Sequence, residues 1–132
     1  MSSALSYMRL YADPTGESHF EPAVVETFTR NFAPPAPAFN VSRFAPALRN
    51  GFLLVPAGWS GDLHPSPLRM WIFVLDGEME FEASDGKRQP ARKGDALLLE
   101  DTIGRGHRSR VIGDTAAKLA VVELEPEPDR DE

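Results

Sequence analysis

From Gly51 onward the chain is interrupted by turn signals at short, nearly regular intervals: Asp76-Gly77, Asp85-Gly86, Lys93-Gly94, the glycines at 104 and 106, and Gly113-Asp114. Such spacing leaves pieces of strand length and no room for a long helix. The clearest piece is "EMEFEA", in which Glu78, Glu80 and Glu82 alternate with Met79, Phe81 and Ala83. A two-residue period of this kind describes a strand with one buried and one solvated face. "RMWIFVL" and "DALLLE" are apolar on both faces, as a strand covered on both sides would be, and "KLAVVELE" closes the series. No segment keeps a 3.6-residue pattern for three turns without proline or glycine, and the first ten residues are the only helix candidate. Many short strands with regular turns predict an all-β sandwich or barrel of the jelly-roll sort.

The 132 residues fit a single domain with one core. Cysteine is absent, which rules out disulfides and thiolate metal sites and suits a cytoplasmic protein. The opening residues lack the basic end and apolar region of a secretory signal, and no apolar run approaches a membrane span, so no membrane association is expected. A formal charge of -6 has the wrong sign for binding a phosphate backbone, so nucleic acid is excluded as a general partner. Much of the acidic excess lies in the last ten residues, "ELEPEPDRDE", which read as a solvated tail. The proline-rich stretch "NFAPPAPAF", residues 31–39, reads as an extended connector within the domain.

Two stretches carry the candidate chemistry. In "GDLHPSPLRMWIFVLDGE", residues 61–78, a period of two puts His64, Ser66, Met70, Ile72 and Val74 on one face, and Trp71, Phe73 and Leu75 on the other. One face thus has a polar end and an apolar body, the composition of a barrel interior with a site toward one end. In "GDALLLEDTIGRGHRSRVIGD", residues 94–114, a buried strand is followed by a glycine-containing reversal, after which His107, Ser109 and Val111 alternate with Arg108 and Arg110. If the two strands face each other across a barrel, His64 and His107 converge. Paired imidazoles in an apolar pocket can hold a divalent metal or transfer protons near neutral pH.

At these residues the chain resembles the cupins. Gly58, His64, Ser66, Met70 and Gly77 stand at the offsets of the first cupin pattern, with Ser66 in place of the second metal histidine and Met70 in place of the carboxylate ligand. In the second pattern Gly94 fits, Glu100 and Thr102 replace the proline and glycine, Arg105 occupies the histidine position, and His107 follows two residues later with the same strand parity. "GDALLLEDTIGRGHRSR" and the earlier "GESHFEP" are similar to small bacterial single-domain cupins, over roughly residues 16–124. The resemblance implies a cupin β-barrel, a double-stranded β-helix, spanning 16–124, with residues 1–15 as an N-terminal arm and 125–132 as an acidic disordered tail. It also implies a pocket for a small organic metabolite and, where a cofactor is held, one divalent metal (Fe, Mn, Ni or Zn).

Two functional readings follow. In the first the chain is an enzyme, with His64 and His107 as metal ligands or as acid and base. Ser66, Met70, Trp59, Ile72, Arg69 and Arg105 are then the expected ligand contacts, the arginines because guanidinium suits carboxylate or phosphate. In the second the pocket binds or senses a metabolite without metal or catalysis, and Met70 forms an apolar floor. Arg108 and Arg110 belong on a solvated face if His107 points inward. His19 reads as a hydrogen-bonded surface or interface histidine, and Trp71, Phe73 and Phe81 as core or dimer-contact residues. A homodimer is expected, with the early segment pairing along a neighbour's sheet edge.

Overall fold

The computed structural model describes residues 4–127, so residues 128–132 of the expected acidic tail lie outside the described residues. The described chain forms eleven strands: β1 (Ala4–Ala12), β2 (Ser18–Arg30), β3 (Phe39–Ser42), β4 (Arg49–Val55), β5 (Ser60–His64), β6 (Met70–Asp76), β7 (Glu78–Ala83), β8 (Arg88–Arg92), β9 (Ala96–Leu99), β10 (His107–Ile112) and β11 (Ala117–Glu123). They build two sheets, a seven-stranded one ordered β3-β2-β1-β9-β6-β11-β4 and a four-stranded one ordered β5-β10-β7-β8. Inward-facing residues of both meet in one core that includes Leu10, Ile72, Met79, Phe81, Leu97 and Leu119. Among the described residues no helix is long and apolar enough to cross a membrane. The all-β expectation and the jelly-roll architecture hold.

Several strands take the form their sequence predicts. Met79, Phe81 and Ala83 are buried along β7 while the glutamates between them are half-buried. Leu97, Leu98 and Leu99 of β9 are all buried: Leu97 and Leu99 face the core, and Leu98 lies on the opposite face between its register partners Arg9 and Trp71. β6 differs: Met70, Ile72 and Val74 face the core, but Phe73 and Leu75 are exposed on the opposite face. An apolar run alone cannot distinguish a strand covered on both faces from one whose second face stays partly open.

The helix expected in the first ten residues is overturned, since Ala4–Ala12 is strand β1. It pairs antiparallel with β2 from Ala4↔Glu26 to Ala12↔Ser18, and parallel with β9 from Met8↔Leu97 to Leu10↔Leu99. The physical reason is the tight turn that follows: Asp13 Oδ1 accepts the backbone N–H of Thr15 at 2.8 Å and of Glu17 at 3.1 Å, closing the "DPTG" reversal. The hairpin then satisfies the backbone of β1 and buries Leu10 completely, which outweighs a weak local helix preference. The expected boundary at residues 15 and 16 falls inside this turn, and β1 is paired along its whole length with β2 and over Met8–Leu10 with β9.

Candidate functional site

His64 ends β5 and His107 begins β10, and the two are direct register partners in the four-stranded sheet. They therefore meet as neighbours on adjacent antiparallel strands, not across the barrel as the strand parity suggested. Their ring centroids lie 5.2 Å apart, and Phe81 packs against His107 with ring centroids 5.7 Å apart. The glycine-rich reversal makes this approach possible. Gly106 has a φ of 77°, and a Cβ added there would fall 1.9 Å from the His64 carbonyl oxygen. Only a residue without a side chain lets the backbone entering β10 lie this close to the end of β5. The Ser18 hydroxyl donates to the Gly106 carbonyl at 2.7 Å, fixing the loop from the other side.

Each ring is oriented through one nitrogen. His107, only 3% exposed, donates its Nδ1–H to Oδ2 of the fully buried Asp101 at 2.6 Å. His64 is exposed and donates its Nδ1–H to the Asp62 carbonyl at 2.7 Å. A backbone carbonyl only accepts, so the proton of neutral His64 sits on Nδ1, and the carboxylate imposes the same tautomer on His107. Both rings keep Nε2 for an incoming group. The remaining Asp101 oxygen, Oδ1, is buried without a hydrogen-bond partner among the described residues. The Asp101 carbonyl accepts the Ser66 N–H at 2.9 Å, which ties the β5–β6 connection to the residue that orients His107.

These imidazoles line a cavity of about 320 Å³ between the sheets. Met79, Phe81 and Ser109 join them from the small sheet, while Met70, Ile72, Leu99 and Leu119 form the opposite apolar wall. Leu53 of edge strand β4, Trp59 and Pro67 also line it and are exposed, which marks the open side. Gly61 leaves room for the Trp59 indole, whose edge would lie 2.7 Å from an added Cβ. A small opening with a polar pair at one side and hydrocarbon at the other suits an organic molecule with one reactive polar group.

The expected contacts divide accordingly. His64, His107, Trp59, Met70 and Ile72 line the cavity. Ser66 does not: it is buried beside it, and its hydroxyl donates to the Leu68 carbonyl at 2.6 Å. Arg69 reaches Glu100 Oε2 at 2.6 Å and Arg105 reaches Glu17 Oε2 at 3.1 Å, so both guanidinium groups are spent on protein carboxylates outside the cavity. Arg108 and Arg110 are exposed on the outer face, near Asp62 and Glu80 respectively. His19 lies outside the cavity between Asp13 and Asp85, with its nitrogens 2.7 and 2.9 Å from their oxygens. These carboxylates, Asp13 first, push the His19 pKa up, while the Thr15 hydroxyl and then His19 push that of Asp13 down. Asp101 was missed from the sequence, although a carboxylate ending an apolar strand just before a glycine loop and a histidine is a visible signal.

A divalent metal finds a poor donor set here. No group of three or more His, Asp or Glu side chains able to hold an ion occurs among the described residues. Besides the two imidazoles and the Ser109 hydroxyl the cavity lining is Met, Ile, Leu, Val, Phe, Trp and Pro, and Asp101 lies behind His107 as its hydrogen-bond acceptor. Fe, Mn, Ni and Zn sites of the catalytic kind use at least three nitrogen or oxygen ligands. The residues present do not fit such an ion.

No curated protein matches the chain. Among solved structures it is similar to a conserved Streptococcus pyogenes protein of unknown function, at 20% identity over 66% of this chain and 72% of that one, with a TM-score of 0.47. It is also similar to the Cnp3 cupin domain of Schizosaccharomyces pombe, at 16% identity over 95% and 90% of the two chains, with a TM-score of 0.45. The cupin domain family matches residues 51–123, more than half of the chain, from the edge strand that walls the cavity to the last strand of the large sheet. With that match on the strands that build the two-histidine pocket, the chain belongs to the cupin domain family.

Proposed function

We propose that this cupin binds a small, mainly apolar organic molecule in the cavity between its sheets and moves a proton on it through His107. The observation that carries the reading is the buried Asp101–His107 pair, whose Nε2 has no hydrogen-bond partner among the described residues, on a mostly apolar cavity beside a second imidazole. Asp101 holds the tautomer in which Nε2 accepts a proton, and its charge offsets that of the imidazolium formed on acceptance. His64, exposed at the open side, is placed to return a proton to the ligand or exchange one with solvent. Isomerisation and elimination are reactions that such a pair serves without an external oxidant. A cytoplasmic setting goes with this reading, since the chain has no cysteine to oxidise.

The second reading is a metabolite carrier or sensor without turnover. Met70 and Ile72 favour it, because they put hydrocarbon and thioether where a ligand of this class needs only shape. One experiment separates the two. A panel of small unsaturated acids, ketones and phenols is screened by thermal shift, and deuterium uptake from solvent into each bound compound is followed by NMR. Proton transfer predicts uptake by the native protein, a fall of about 10²–10⁴-fold in His107→Ala, and binding retained within a few-fold. Binding with no uptake, or uptake unchanged in His107→Ala, would leave only the carrier reading. Metal analysis of untagged protein is expected to give far less than one divalent ion per chain.

A further inference from the structure

We infer that the cavity selects an uncharged O–H acid, a phenol or enol on a small apolar body, over ethers and carboxylates of the same shape. This rests on the reading that the cavity is the binding site, and adds the head group its ligand carries. The polar side of the cavity consists almost wholly of acceptors. His64 gives its Nδ1–H to the Asp62 carbonyl and His107 gives its Nδ1–H to Asp101, so each neutral ring is left with Nε2 as a lone pair. Neither Nε2 has a hydrogen-bond partner among the described residues. With centroids 5.2 Å apart, the rings are too close to serve two separate head groups, so they share one. The Ser109 hydroxyl acts in either sense and does not decide the matter. The one obligate donor in the lining is the indole N–H of Trp59, which is 38% exposed at the open side.

Charge decides against acids. Among the described residues no lysine or arginine lines the cavity, and Arg69 and Arg105, the counter-ions that the sequence suggested, hold Glu100 and Glu17 instead. Behind His107 stands Asp101, fully buried, whose Oδ1 already lacks a donor. A ligand carboxylate would bring a second negative charge into the same low-dielectric region and would face lone pairs there, losing its water without compensation. A neutral O–H does the opposite. It supplies the proton that Nε2 lacks, and the hydrogen bond from His107 to Asp101 polarises the ring and strengthens Nε2 as an acceptor. A phenolic O–H titrates at about 10 and an ordinary imidazole at about 6.5, a gap small enough for the same proton to be handed over. Phe81 and Trp59, with the hydrocarbon of Met70, Ile72 and Leu119, match the planar apolar body that carries such a group.

Titration calorimetry on the full chain at about pH 8, where an ordinary imidazole is neutral, compares para-cresol, its methyl ether and para-toluate, three single-ring compounds of similar size. Cresol is expected to bind at least about tenfold more tightly than either of the others, since the ether leaves both acceptors unpaired and the toluate adds a charge. This series needs no variant. His64→Leu, at the exposed end of edge strand β5, is expected to narrow the gap between cresol and ether at least about threefold with an unchanged far-ultraviolet β spectrum. Cresol is also expected to shift the imidazole C–H signals of His64 and His107 in the NMR spectrum. Equal affinities for cresol and ether, tighter binding of toluate, binding of none of the three, or a gap unchanged in His64→Leu would each overturn the inference. Deuterium uptake into another bound compound would in those cases still leave the proton-transfer reading standing. A preference for cresol with no uptake into any bound compound would uphold the inference and end that reading instead.

Discussion

Asp101 and Gly106 hold His107 and His64 in place from two sides, one by charge and hydrogen bond, the other by the absence of a side chain. Asp101→Asn keeps the shape but lets an amide N–H face Nδ1, so the ring is held in the tautomer whose Nε2 carries the proton. Its expected effect is a loss of about 10²–10⁴-fold in proton transfer with ligand affinity retained, read as deuterium uptake against a binding isotherm. Gly106→Ala tests the other side. The added methyl meets the His64 backbone and a left-handed φ at once, so a loss of at least about 2 kcal/mol is expected in urea unfolding. A smaller loss would mean that the loop moves aside easily and does not set the distance between the rings. At this scale the sequence displayed His64, His107, Met70 and Ile72 through strand parity. Asp101 was marked only by its place between an apolar strand and a glycine loop, since its role depends on where the chain turns, and Arg69 and Arg105 suggested ligand contacts because a guanidinium does not announce the carboxylate it will meet.

At the scale of elements, turn-bounded strands such as β7 and β9 were legible because alternation and burial are properties of a few consecutive residues. β1 was not, since its hydrogen bonds go to β2 and to β9, which begins more than eighty residues further along the chain. The pairing of β5 with β10 was equally hidden, as parity says which face a residue takes but not which strand lies beside it. His19 shows what such non-local joining implies for pH. It stands on β2 and holds Asp13 in the β1–β2 turn and Asp85 in the β7–β8 turn. A histidine with a raised folded pKa stabilises the fold fully below its unfolded value, near 6.5, and this contribution is lost as pH rises through the folded value. Asp13, held low, contributes above its unfolded value near 3.8 and stops doing so as pH falls through its folded value. The clamp is therefore strongest between about pH 4 and 6.5. Urea midpoints measured across pH should decline on the alkaline side of that window in the native protein, and His19→Asn should flatten that decline. An identical profile in the variant would remove the clamp from the account.

For the whole molecule, the fold class and its single core were readable because turn spacing, strand alternation and the lack of helical periodicity all agree. What could not be read is how the two sheets share the work. The proline-rich connector was visible as an extended segment, yet nothing local says that the chain after it must travel from one edge of a seven-stranded sheet to the other. Likewise, apolar residues on β6 were expected to face a second layer, and Phe73 and Leu75 are instead exposed. Sequence periodicity describes what a face is made of, and only the assembled molecule shows what meets it.

The in-register pairing of His64 with His107 has a longer consequence. Because both rings stand on one sheet, their separation is set by the spacing of adjacent backbones, while Met70, Ile72 and Leu119 approach from the other sheet. Substitutions on the far wall would therefore change the shape of the cavity while leaving the spacing of the imidazoles untouched. On the proposed reading, part of what selects a ligand and all of what moves its proton lie on different sheets.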